Sequence, residues 1–70
     1  MPSRFADLLR DQRLRRGLSQ EALAEAARIS VSSVGTYERG IHSAPHRETV
    51  ALLANALQLE GTARADFGLR

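Results

Sequence analysis

The stretch Ser19–Gly40, SQEALAEAARISVSSVGTYERG, reads as two short helices joined by a tight turn. Ser19 is a good N-cap, because its hydroxyl can accept from the free backbone N–H groups of a first helical turn. Gln20 to Ala27 then supply helix formers, with Leu23, Ala24 and Ala27 on one apolar stripe. The run breaks at Arg28-Ile29, and Ser30 offers a second N-cap. A second helix, Val31 to Arg39, ends at Gly40, a residue suited to the left-handed position that closes a helix.

The faces of that second helix predict its use. Val34 and Tyr37 are expected to point into a core. Val31, Ser32, Gly35, Thr36 and Arg39 are expected to point outward, with Glu38 at the border. A face of short side chains with a terminal Arg and no long acidic chain suits the DNA major groove, which is about 12 Å wide and admits one helix.

These residues carry a resemblance. R-x-x-x-G-L-S-Q (Arg13 to Gln20), then ALAEAARIS (Ala22 to Ser30) and Y-E-R-G (Tyr37 to Gly40), resemble the Xre-type helix-turn-helix family of phage repressors and bacterial transcription regulators. The similarity runs from about Phe5 to Phe67. It implies an all-α, compact five-helix bundle like that of lambda repressor, with the helix-turn-helix formed by helices 2 and 3. It also implies a sequence-specific DNA-binding domain of a bacterial transcriptional regulator. The alternative on the same fold is a protein-interaction module that docks a partner, as an antitoxin does.

Seventy residues allow one domain, residues 1–70, and one this small buries only about 60% of its unfolded surface. The net charge of +2 is too small to establish nucleic-acid binding by itself. All ten basic residues other than His are Arg; that suits bidentate phosphate contacts, but a GC-rich genome gives the same bias. The absence of Cys excludes disulfides and thiolate metal sites. No signal peptide and no membrane-spanning run is legible, so a cytoplasmic location is expected.

Outside the quoted stretch, a first helix is expected from about Arg4 to Arg16, capped by Ser3, with Phe5, Leu8, Leu9 and Leu14 as its core stripe. Gly17 and Leu18 make the turn that follows. The segment 41–48, IHSAPHRE, reads as a loop in which Ile41 returns to the core. His42 and His46 are four apart, but Pro45 lies between them and no third ligand completes a metal site. A fourth helix, Arg47 to Leu57, buries Val50, Leu53, Ala54 and Leu57. Leu59 follows it inward. Thr62 is expected to cap a last helix anchored by Phe67. The closeness of Phe67 to Arg70 suggests a domain cut from a longer protein, or a minimal regulator. The pattern from Ala44 to Leu59 resembles the variant found at the N-terminus of large multidomain regulators.

The resemblance also implies the site. Arg13 would pair with Glu38 and tie the first helix to the end of the recognition helix. Val31, Ser32 and Thr36 would meet base edges. Gln20, Ser30, Ser33, Arg39, His42, Ser43, His46 and Arg47 would face the DNA backbone. Known repressors often place Gln or Arg at the base-reading positions, where this chain has Val and Ser. Double-stranded DNA is the expected partner, joined by a second copy in a homodimer or by further domains of a longer chain. The sequence supports no cofactor, metal, small-molecule ligand or membrane partner. It supports no enzyme either, since no Ser-His-acid or paired-carboxylate arrangement can be placed in a cleft.

Overall fold

The computed structural model describes residues 4–40 and 46–68. They form five α-helices and no strand: α1 (Arg4–Arg15), α2 (Gln20–Ala27), α3 (Val31–Arg39), α4 (Arg47–Ala56) and α5 (Gly61–Gly68). The expected all-α five-helix bundle is therefore present, with α2 and α3 as the helix-turn-helix. Ser3, Ile41, His42 and Ser43 lie outside the described residues. So do the roles expected of them as cap, core anchor and backbone contacts.

Each helix contributes apolar residues to one centre. Phe5 and Leu9 from α1, Leu23, Ala24 and Ala27 from α2, Val34 from α3, Leu53, Ala54 and Leu57 from α4 and its end, Leu59, and Phe67 from α5 form a single buried cluster. Phe5 joins the two ends of the chain, with its ring 5.0 Å from that of Phe67 and edge-on to Tyr37 at 6.4 Å.

Three helices stop in the same way. After α1, α2 and α4 the residues Gly17, Arg28 and Gln58 take positive φ angles of 67°, 62° and 56°. Each donates its N–H to the carbonyl three residues back, and the next residue donates to the carbonyl five back: Leu18 to Arg13, Ile29 to Ala24, Leu59 to Ala54. This is the Schellman closure, in which the residue after the left-handed one returns to the core. Leu18, Ile29 and Leu59 all pack there. Only the first stop uses glycine. Arg28 and Gln58 adopt a conformation that costs a residue with a Cβ about 1 kcal/mol or more, and apolar anchoring of the following residue offsets it.

Two expectations about elements are corrected. Leu14 is 61% exposed, so it is not part of the core stripe. Nine residues after Phe5, at about 100° per residue, it falls about 180° away from it, on the opposite side of α1. Thr62 lies inside the first turn of α5 instead of capping it, because the helix starts one residue earlier, at Gly61. The first and fourth helices each end one residue earlier than expected, at Arg15 and Ala56. Among the described residues no helix is long and apolar enough to cross a membrane.

This placement makes a paired prediction. Leu9→Ala, at a fully buried site, should cost about 2–5 kcal/mol in urea unfolding. Leu14→Ala should change stability by less than about 0.5 kcal/mol. Equal losses would mean that Leu14 is packed.

Candidate nucleic-acid interface

Helix α3 is fixed at both ends. At its start the Ser30 hydroxyl accepts from the Ser33 N–H at 3.0 Å, and the two serine hydroxyls share a 2.8 Å hydrogen bond. At its end Gly40 takes the left-handed conformation and donates back to Tyr37. The preceding helix α2 is capped by Ser19, whose hydroxyl accepts from the Ala22 N–H at 3.0 Å.

Tertiary position comes from one ion pair. Arg13 on α1 donates from Nε to Glu38 Oε2 at 2.6 Å and from Nη2 to Oε1 at 3.0 Å, a two-pronged contact with the last turn of α3. Its remaining nitrogen, Nη1, donates to the Leu18 carbonyl at 2.9 Å. Gln20, at the first position of α2, donates its amide N–H to Glu38 Oε1 at 3.2 Å. The Glu38 side chain is 4% exposed and that of Arg13 13%. The hydrogen bond to Glu38 raises the Arg13 pKa above its ordinary value, against a smaller opposing effect of burial. A carboxylate this deep requires such partners, since an unpaired buried charge is strongly unfavourable. One acid thus holds α1, the α1–α2 turn, α2 and α3 in a single arrangement.

The Gln20 bond is a contact that sequence reading did not supply. Gln20 was expected to spend its amide on phosphate. In the structure one amide hydrogen is used within the protein, and its carbonyl and second hydrogen remain, on a half-buried side chain. Spacing alone gives no signal for it, because residues 20 and 38 meet only through the packing of α2 on α3.

The outer face of α3 is narrower than expected. Ser32 and Arg39 are exposed, Ser33 and Thr36 are half-buried, and Val34, Gly35 and Glu38 are buried. Gly35 faces away from the core as expected, but it is covered. It lies between the buried Val34 and the polar Ser32–Thr36–Arg39 arc, and the Arg39 guanidinium folds back across it. A Cβ built at Gly35 would stand 3.4 Å from Arg39 Nη1 and meet nothing else within 4 Å. Val31 is 44% exposed because it begins the helix. On the helical wheel it sits only about 60° from Val34.

The remaining expected contacts are at the ends of elements. His46 is exposed and precedes α4 without a side-chain capping bond, and Arg47 is the exposed first residue of that helix. Arg39 and Arg47 have no carboxylate partner among the described residues, unlike Arg10, Arg13 and Arg15, which contact Asp7, Glu38 and Asp11. Among the described residues no group of His, Cys, Asp and Glu is arranged to hold a metal ion.

Two capped helices joined by a left-handed turn, the second presenting a short-chain polar face, define a helix-turn-helix domain, a DNA-binding fold. The model of a helix-turn-helix domain family matches residues 4–67, nearly the whole sequence, and the chain belongs to that family, consistent with the Xre-like resemblance of its motifs. No curated protein and no solved structure matches the chain.

Two outcomes follow from the site's geometry. Glu38→Ala, which strands Arg13, should lower stability by about 2–4 kcal/mol in urea unfolding, and Arg13→Met with Glu38→Leu should cost less than that single change. A single mutant within about 0.5 kcal/mol of the parent would remove the clamp from the account. Gly35→Ala should stabilise α3 by up to about 1 kcal/mol, since only the movable end of Arg39 must yield. A loss of thermal stability would show that Gly35 is needed for packing.

Proposed function

We propose that the chain is the sequence-specific DNA-binding domain of a bacterial transcriptional regulator, with α3 lying in the major groove. The observation that carries this reading is the polar arc of α3, with Ser32 and Arg39 exposed and Thr36 half-buried, on a helix locked to α1 and α2 by the Arg13–Glu38–Gln20 network. Ser32 and Thr36 meet base edges through hydroxyls and the Thr36 methyl, and Val31 packs at the entry of the helix against a thymine methyl. Arg39 and Arg47 supply the charged phosphate contacts. Gln20, Ser30, Ser33 and His46 supply neutral ones, with His42 and Ser43 from the adjoining segment.

Short hydroxyl side chains give little discrimination alone, since the contacts worth about 1–3 kcal/mol are bidentate ones from Arg, Gln or Asn. The domain is also small. Its backbone spans 27 Å at most and carries a single α3, which can occupy one half-site where half-sites lie 34–36 Å apart. High specificity therefore requires a second reading head, from a homodimer or from further domains of a longer chain. The docking-module alternative has less support on α3: Val31 is the only large apolar residue exposed there, and its one aromatic ring, Tyr37, is half-buried against the core instead of standing out as an anchor.

An NMR titration of the labelled protein with a mixed-sequence duplex at low salt tests the reading. Shifts should concentrate at Gln20, residues 30–39 and residues 42–47. The affinity should fall with salt at a logarithmic slope of about −2 to −3 per domain, the value for two to three neutralised phosphates. A folded protein whose spectrum stays unchanged under those conditions would overturn the proposal in favour of a docking module.

A further inference from the structure

Outside the residues of the candidate interface, the turn after α1 meets the corner between α4 and α5 in an open groove of about 690 Å³. Arg16, Asn55, Gln58, Glu60, Gly61 and Arg64 line it. Its two arginines, Arg16 just after α1 and Arg64 in α5, differ from three on α1. Arg10, Arg13 and Arg15 each contact a carboxylate. Arg16 instead donates from Nη1 to Gln58 Oε1 at 3.1 Å and from Nη2 to the Gln58 carbonyl at 3.2 Å. Arg64 donates from Nη1 to Asn55 Oδ1 at 3.0 Å. Neutral oxygens orient a guanidinium without cancelling its charge. The groove therefore holds two positioned cations, neither of them in an ion pair among the described residues.

The other donors add to them. With their oxygens engaged, Asn55 and Gln58 have NH₂ groups as their remaining side-chain polar atoms. The groove also contains the start of α5, where the first-turn N–H groups lack acceptors within the helix and the helix dipole is positive. The opposing group is Glu60, which makes no ion pair among the described residues and stands at the same corner. Arg16 comes from the turn after α1, the amides from the last turn of α4 and the turn that follows it, and Arg64 with the free N–H groups from α5. Donors on three elements suit a tetrahedral oxyanion better than a planar carboxylate, and a polar, open groove does not suit an apolar ligand.

We propose that this groove is an oxyanion site that takes a phosphoryl group. The site stands apart from the reading of α3, and it holds whether or not α3 enters a DNA groove. The phosphoryl group has two sources, a phosphodiester of duplex DNA flanking the reading head or a free phosphorylated small molecule. Glu60 weakens binding of a doubly charged anion and sets the affinity low.

The test is an NMR titration of the whole chain with inorganic phosphate, against sodium chloride at matched ionic strength. The Nε–H signals of Arg16 and Arg64, the NH₂ signals of Asn55 and Gln58, and the amides of residues 61–63 should shift and saturate with phosphate only. Arg64→Gln should raise the apparent Kd at least about fivefold, the loss expected for a charge-assisted contact at an exposed site. Glu60→Gln should lower it about twofold or more. Both residues are exposed, so each variant keeps the amide dispersion of the folded protein. Equal drift with chloride, or saturation unaffected by Arg64→Gln, would overturn the site. A parallel titration with the mixed-sequence duplex identifies the source. Groove signals that move with the duplex assign the phosphoryl group to DNA; signals that move only with phosphate assign it to a free ligand.

Discussion

The arrangement depends on the carboxylate of Glu38 being buried with Arg13. A charge so deep is tolerated only where hydrogen bonds replace its water, and here both oxygens are engaged, by two arginine nitrogens and by Gln20. The third arginine nitrogen reaches the Leu18 carbonyl in the α1–α2 turn. Displacing α1 or α3 would therefore leave a buried charge without its partner, and displacing α2 would take a hydrogen bond from the same carboxylate. Apolar packing alone tolerates sliding by fractions of an ångström; a bidentate ion pair does not. The network thus contributes geometry more than stability, and it sets the angle at which α3 leaves the body of the protein.

The surrounding core makes the opposite kind of contribution. Its residues come from all five helices, and Leu9, Leu23, Val34, Leu53 and Leu57 are fully excluded from solvent. Their burial drives collapse but does not distinguish closely related packings. The repeated Schellman closures supply the remaining definition. At Leu18, Ile29 and Leu59 the chain is turned back to the centre at the residue where each helix stops. Local closure, apolar burial and one specific ion pair agree on a single fold.

Much of this was legible in the sequence, for identifiable reasons. Ser19, Ser30 and Gly40 are chemical signals of helix ends, and the spacing of Leu23, Ala24 and Ala27 can only be a helix stripe. The Arg13–Glu38 contact came from the motif, not from spacing, because no periodicity relates residues twenty-five apart. Leu14 was misplaced because an apolar residue was counted without its angle. The outward direction of Gly35 was readable, but its burial was not, because a glycine's burial depends on which neighbour covers it, and Arg39 folds back in space to do so. The left-handed residues Arg28 and Gln58 gave no glycine to mark them. At the candidate site, the polar character of Ser32, Thr36 and Arg39 was readable, whereas the engagement of Gln20 with Glu38 depends on tertiary packing.

The helix-turn-helix is built from segments of eight and nine residues, shorter than the roughly 12–15 needed for an isolated helix to persist in water. α3 therefore has no existence apart from the folded body. Any molecule that recognises its surface binds the folded state alone, and by mass action it shifts the folding equilibrium of the whole chain. At about a hundred times its dissociation constant such a ligand would add about 2.7 kcal/mol to global stability, a large fraction of what a domain of this size possesses. Recognition and folding in this protein are one equilibrium.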